Sequence, residues 1–359
     1  MIKIYQKNLI FHFIKNLSRL LLIFFFLVII LNLFEEIKFF KNDEVNFTLP
    51  LFLTILNTPS TIFDILPFIF LMAGLYFFTE ILDKNELIIY KSYGLTNIKI
   101  ISIISLTTFV IGVVVVLFLY NLSSNLKFLY LDIKNDYTQD NKYLAVVTSN
   151  GLWIKDEVND KINIINAEKI EGNFLYNVVI SQFDKSYKFK KLITSDKANI
   201  KKNEWEIFNP KITENNSATT SLENLFFNSN FDKEKISTLF SNLSSLDLWQ
   251  LKKLKQDYKI LGYSDIKITI HQQKLYSYPF YLTIMVSIAS ILMLNIRYNK
   301  SKILNLILGI LISVIIYYIN YFLNVLSENN DLTYLVSIWG SQLILILFIA
   351  IGMVRVNEK

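Results

Sequence analysis

Proton transfer and metal ligation draw mostly on histidine, cysteine and clustered carboxylates. This chain of 359 residues offers two histidines, His12 and His271, and no cysteine. No glycine is followed by lysine, so a phosphate-cradling GxxxxGK(S/T) loop is excluded, and HExxH and GxSxG are missing as well. The sequence therefore points to no catalytic residue, no metal site and no cofactor. One stretch is built instead for contact. In ELIIYKSYGLTNIKI, residues 86–100, Glu86, Ile89, Tyr90 and Tyr93 fall at i, i+3, i+4 and i+7, which places them on one face of a helix. A single carboxylate among apolar and aromatic side chains suits a groove on another protein. The same residues would also serve a helix resting on lipid head groups. Asp83, with Glu86 three positions on, resembles a capping box. Gly94 is a natural left-handed C′ residue, and Thr96 can cap the helix that follows. The spacing predicts a helix of about ten residues within 84–94.

The elements around that stretch are apolar. The composition is 53% hydrophobic and only 18% charged, too greasy for an ordinary soluble domain. Uncharged runs long enough to cross a bilayer cover residues 100–125, 275–296, 303–327 and 332–354. Two more are less clean: 17–34 carries Arg19, and 65–79 follows Asp64. Six spans result. In an alternating arrangement the two histidines lie near opposite faces, and His271 reads as an interfacial polar residue. Asp64 is expected near the outer end of the second span, in a capping or interface role before one in proton coupling. Asn320 and Asn324 can bond a neighbouring helix.

Charge fixes the expected orientation. If the N-terminus is cytoplasmic, the inner flanks hold Lys3, Lys7, Lys15, Arg19, Lys84, Lys91, Lys99, Arg297, Lys300, Lys302, Arg355 and Lys359. The short outer flanks hold only Lys38 and Lys41, beside Glu35, Glu36, Asp43 and Glu44. The positive-inside rule then puts both termini in the cytoplasm. The net charge of +6 is scattered along span ends, which argues for membrane anchoring and against nucleic acid. The N-terminal run lacks a small-residue cleavage site and is expected to be retained as a span.

Residues 126–274 separate spans three and four and are long enough for a domain of their own. On this orientation they lie outside, in the periplasm. KYLAVVTSNGLWIKDE reads as a hairpin around Ser149-Asn150-Gly151. KINIINA, NFLYNVVISQF, YKFKKLITSDKANI and NEWEIFNPKI continue as strands, predicting an antiparallel sandwich, barrel or jelly roll over about 141–228. Over 233–262, Leu239, Leu243, Leu246, Trp249 and Leu254 recur at near-helical spacing, predicting amphipathic helices that return to the membrane. The expected plan is residues 1–125 with three spans and the 84–94 helix, the β domain with its helical return over 126–274, and three spans in 275–359.

This order of parts resembles the LptF/LptG permease family of the lipopolysaccharide export ABC transporter. The resemblance covers essentially the whole chain. It rests on ILPFIFLMAGLYFF, ELIIYKSYGLTNIKI, GLWIKD, LWQLKKLKQDYKILGYSD, KLYSYPFYLTIMVSIASILML, the glycine-led fifth span and the Trp339 segment. GLWIKD and LWQLKKLKQDYKILG look more like LptG than LptF. An FtsX/MacB-like permease would place its external domain after span one instead. A membrane scaffold using the β domain for protein binding stands as the non-transport alternative.

The resemblance implies a partner permease of LptF type, a cytoplasmic LptB-like ATPase dimer, and periplasmic LptC-like and LptA-like proteins that receive the lipopolysaccharide. It also implies that the loop between spans two and three is the coupling helix, with Glu86 matching the family's acidic residue and Gly94 its closing glycine. Lys38 matches a basic residue that meets the substrate's phosphates, and Lys41 lies nearby. Here the two lysines are interleaved with acidic residues, which weakens the positive field such a contact favours. Interfacial snorkelling is the competing role for both.

Overall fold

The computed structural model of the chain describes all residues except 1–2, 42–44, 136, 138–151, 159–160, 215–218, 234, 237–241, 261–263, 296–301, 330 and 358–359. The chain divides into two compact units. One comprises Met1–Leu126 with Ile266–Lys359, and the other Lys127–Asp265.

The first unit is a helical bundle, and the chain is a multi-pass membrane protein. Among the described residues, six helices are long and apolar enough to cross a bilayer. They are α1 (Ile4–Phe39), α2 (Thr48–Asp83), α4 (Asn97–Asn135, counted in this unit as far as Leu126), α6 (Ile266–Leu294), α7 (Lys302–Glu328) and α8 (Leu335–Val356). The short α3 (Glu86–Ser92) joins α2 to α4, and α5 (Leu248–Ile260) belongs to the second unit. The helices outrun their apolar runs: α2 begins at Thr48, which puts Asp64 at mid-helix and exposed, not near an end as expected. A helix has no reason to stop where its lipid-facing stretch stops, because its backbone bonds are internal.

Close approach builds the interior. A Cβ on Gly74 would lie 2.8 Å from Ala289 of α6, and one on Gly112 of α4 would lie 2.9 Å from the Pro279 Cα. Pro67 has no N–H, so the carbonyl of Phe63 loses its helical donor. The Tyr278 hydroxyl of α6 donates to that carbonyl at 2.5 Å, while the two rings stack at 4.5 Å. Between α4 and α6, the hydroxyls of Ser105 and Ser287 meet at 3.0 Å. His271 bonds the Tyr120 hydroxyl at 2.9 Å within the bundle, and Asn320 bonds Tyr281 of α6, the cross-helix role expected of it.

The second unit holds an antiparallel sheet of nine strands among the described residues: β1 (Leu152–Val158), β2 (Lys161–Ala167), β3 (Lys169–Glu171), β4 (Phe174–Asp184), β5 (Phe189–Asn199), β6 (Glu204–Phe208), β7 (Lys211–Glu214), β8 (Thr220–Ser221) and β9 (Asn224–Asn228). Its main path is β1-β2-β4-β5-β6-β9, and it forks at β5, where β6 and β7 pair with different halves of the strand. The inserted β domain is thus as expected, although the turn at Ser149-Asn150-Gly151 lies outside the described residues. NEWEIFNPKI is two strands, split at Asn209, whose φ is +46°, and Pro210. Asp156 on β1 is fully buried. Its carboxylate accepts from Ser229 Oγ at 2.8 Å and from the Asn230 amide and side chain at 3.1 and 2.8 Å. This ties β1 to the segment that leaves β9.

The helical return differs in register from the expectation. Leu243 sits in a single turn of tighter helix, Leu239 is outside the described residues, and the continuous helix starts only at Leu248. Leu251 and Leu254 face inward, whereas Trp249 faces out.

Candidate functional site

The contact stretch folds as α3, which is shorter than predicted, at seven residues. Asp83 is the last residue of α2 and not the cap of α3. Asn85 takes the N-cap position with φ of +55° and no side-chain cap bond. Asparagine tolerates that left-handed backbone better than most residues with a Cβ, so the chain turns at Asn85 and Glu86 becomes the first helical residue.

The closing turn is as the sequence implied. Gly94 has φ of +78°. Its N–H donates to the Lys91 carbonyl at 2.9 Å, and the Leu95 N–H donates to the Tyr90 carbonyl at 3.1 Å. These are the two bonds of a Schellman motif, and buried Tyr90 and Leu95 supply its apolar contact. Thr96 then caps α4, its Oγ1 accepting from the Lys99 amide at 3.3 Å. Substitution of Gly94 would strain the turn, although open space surrounds it.

The face proposed from spacing divides in two. Tyr90 points inward and is 8% exposed, whereas Ile89 and Tyr93 are 53% and 81% exposed. The Tyr90 hydroxyl accepts from Asn8 Nδ2 of α1 at 3.0 Å. Burial raises the phenol's pKa, an effect partly offset by the Asn8 bond, so the ring stays neutral and bonded. A second brace lies one helix back: Asn16 of α1 donates to Glu80 Oε2 at 2.8 Å, and Lys84 pairs with Glu80 Oε1 at 2.5 Å. That bond to Glu80 raises the Lys84 pKa. Phe13 meets Phe77 edge to face at 5.7 Å, so α1, α2 and α3 share one packed corner.

An open, mostly apolar groove of about 940 Å³ lies beside that corner. Its walls are Ile4, Tyr5, Lys7, Asn8 and Phe11 from α1, with Ile89, Tyr90, Tyr93 and Leu95 from the α3 region. Three of the sequence-predicted residues therefore line it, while Glu86 is not in its walls. The first turns of α1 were missed from the sequence. Asn8 and Tyr90 are 82 residues apart, and a lone polar residue in an N-terminal run carries no local sign of its partner.

Lys38 and Lys41 are not part of this corner. Both are exposed at the far end of α1, a helix of 36 residues and hence roughly 54 Å long. Glu36 beside them is buried at 1% exposure.

The family model for the lipopolysaccharide export system permease LptF/LptG matches residues 7–356. The match spans nearly the whole chain, and the chain belongs to that family. No curated protein matches it.

Proposed function

We propose that this chain, as a lipopolysaccharide export permease, is the LptG-like subunit of an ABC transporter and that α3 is its coupling helix. ATP would be hydrolysed by a separate LptB-like dimer on the cytoplasmic side, where both termini lie on this reading. A paralogous LptF-like permease would complete the lipid cavity. The β unit would stand in the periplasm and pass lipopolysaccharide towards LptC-like and LptA-like proteins. Lys38 and Lys41, at the other end of α1, would then face the outer leaflet, within reach of the lipid's phosphates.

The observation that carries the reading is mechanical. A push on α3 reaches α2 and α4 through short rigid turns, and reaches α1 through Asn8–Tyr90 and Asn16–Glu80. Exposed Ile89 and Tyr93 give a partner apolar and aromatic surface to hold. Buried Tyr90 makes the handle stiff, so displacement is transmitted instead of absorbed.

The test compares wild type with Glu86→Ala, Tyr93→Ala and Tyr90→Phe, by pull-down of the ATPase and by its lipid-stimulated turnover. Glu86→Ala and Tyr93→Ala are expected to weaken association about tenfold or more, as contact residues at the centre of an interface do. Tyr90→Phe removes only the bond to Asn8 and is expected to preserve association while lowering the export achieved per ATP. Unchanged association in both contact variants would return α3 to a helix lying on lipid.

A further inference from the structure

α5 is capped and packed on one side and carries an unexplained surface on the other. Its start is a reciprocal cap: Asp247 Oδ1 accepts from the Gln250 amide at 2.8 Å, and Gln250 Oε1 accepts from the Asp247 amide at 2.9 Å. Leu251 and Leu254, both at 0% exposure, fix its inner side. The outer side reads Trp249, Lys252, Lys253, Gln256 and Lys259, all five exposed. These positions follow the i, i+3, i+4, i+7 spacing of one helical face. One carboxylate, Asp257 at four residues from Lys253, flanks the edge of that stripe. The nearest one engaged with it, Asp265, stands 3.9 Å from both Lys255 and Lys259 at the helix's end.

Trp249 is the most exposed of the four tryptophans, ahead of Trp153 on β1 at 55%. It is 76% exposed, whereas Trp205 in the same unit is fully buried and donates its indole N–H to the Phe231 carbonyl at 2.6 Å. Folding has no use for an indole in water, and tryptophan with lysine is the pairing that settles at a bilayer's interface. Chain continuity supplies the bilayer. α5 ends at Ile260 and α6 begins at Ile266, a connection that reaches at most about 20 Å, and the uncharged run of α6 starts nine residues further on at Leu275, about 14 Å along the helix.

We infer that the outer stripe of α5 lies on the membrane surface from which α6 enters, with Trp249 among the glycerol backbones and Lys252, Lys253 and Lys259 on anionic phospholipid phosphates. The inference does not depend on α3 or on any partner. Each lysine near an anionic surface is worth about fivefold in binding.

The absence of cysteine allows a direct measurement. Full-length protein carrying Gln256→Cys is labelled with a polarity-sensitive fluorophore and reconstituted into phosphatidylcholine vesicles with or without phosphatidylglycerol. Ser186→Cys, in the exposed turn between β4 and β5, is the control. The probe at 256 is expected to be shielded from aqueous iodide several-fold more with phosphatidylglycerol present, while the probe at 186 stays open. Lys252→Gln, Lys253→Gln and Lys259→Gln together should abolish the difference without moving the thermal midpoint, since none of the three is buried. Equal quenching at 256 in both vesicles, shielding that survives the triple variant, or shielding that appears only with a second protein would each overturn the assignment.

Discussion

Two pairs of helices in the membrane unit solve opposite problems. In α2 and α6, 61% of the most apolar stretch is buried inside the chain; in α1 and α7 it is 17%. The less buried pair is nevertheless the more apolar one. The buried pair carries Thr54, Thr58, Ser60 and Gly74 on α2, with Ser277, Ser287 and Ser290 on α6. In water this order would be inverted. In lipid there is no hydrophobic drive to bring helices together, so interior contacts rely on small residues and hydroxyls, and grease is left to the outside. The outward faces of α1 (Phe25, Phe26, Leu31, Phe34) and α7 (Leu311, Ile315, Tyr318, Phe322) are accordingly exposed. They are the surfaces that a second permease or a lipid substrate would cover on the proposed reading.

The comparison breaks most readily at a glycine. Gly112→Leu drives its Cβ against the backbone of Pro279, which cannot rotate away, whereas Gly340 on α8 meets only Val336 Cγ1 at 3.8 Å. Gly112→Leu is expected to cost about 1–3 kcal/mol from overpacking and to lower the thermal midpoint of the purified protein in detergent. Gly340→Leu should leave it nearly unchanged. Equal losses would mean that the inner and outer helices are packed alike.

Polar bonds sharpen the same contrast at smaller magnitude. Tyr278→Phe leaves the Phe63 carbonyl, already orphaned by Pro67, without its donor, and the expected cost is about 1–2 kcal/mol. Gln273→Leu removes the acceptor of the Trp339 indole N–H at 3.0 Å, one of the bonds that hold α8 to α6. Its cost should be about 0.6 kcal/mol, the usual size of a cross-helix bond in a bilayer. Guanidinium-free thermal scans of both variants in one detergent would rank them.

How far the sequence reached follows the same physics. Gly94, Thr96 and the strands from KINIINA onwards were legible because turn chemistry and alternation act over a few neighbours. The cap at Asn85 was not: Asp83 and Asn85 are equally good cappers, and α2 runs through Asp83, since a packed helix continues until its tertiary contacts end. Hydropathy could find six spans but could not say which are inside, because a lipid-facing leucine and a buried one look alike to it. Spacing alone groups Trp249 with Leu239, Leu243, Leu246 and Leu254 for a related reason. Spacing gives the period of a face, and a tryptophan among lysines fits either side of it. The groove at α1 and α3 depends on Asn8 meeting Tyr90 across 82 residues, and no window of sequence contains both.

The smallest expected effect is the one that decides what the outer pair is for. Leu311→Ala and Ile315→Ala on α7, where the side chains are 53% and 56% exposed, should change the isolated chain's stability by less than about 0.5 kcal/mol, as surface substitutions do. A buried leucine truncated to alanine would cost about 2–5 kcal/mol, so the two situations are well separated. If α7 faces only lipid, the pair of variants stays silent in the assembled transporter as well. If a paralogous permease covers that face, the same substitutions weaken copurification of the partner while the single chain melts unchanged. Only an interface between chains produces that combination, because lipid refills the space left by a removed side chain and a packed protein surface does not.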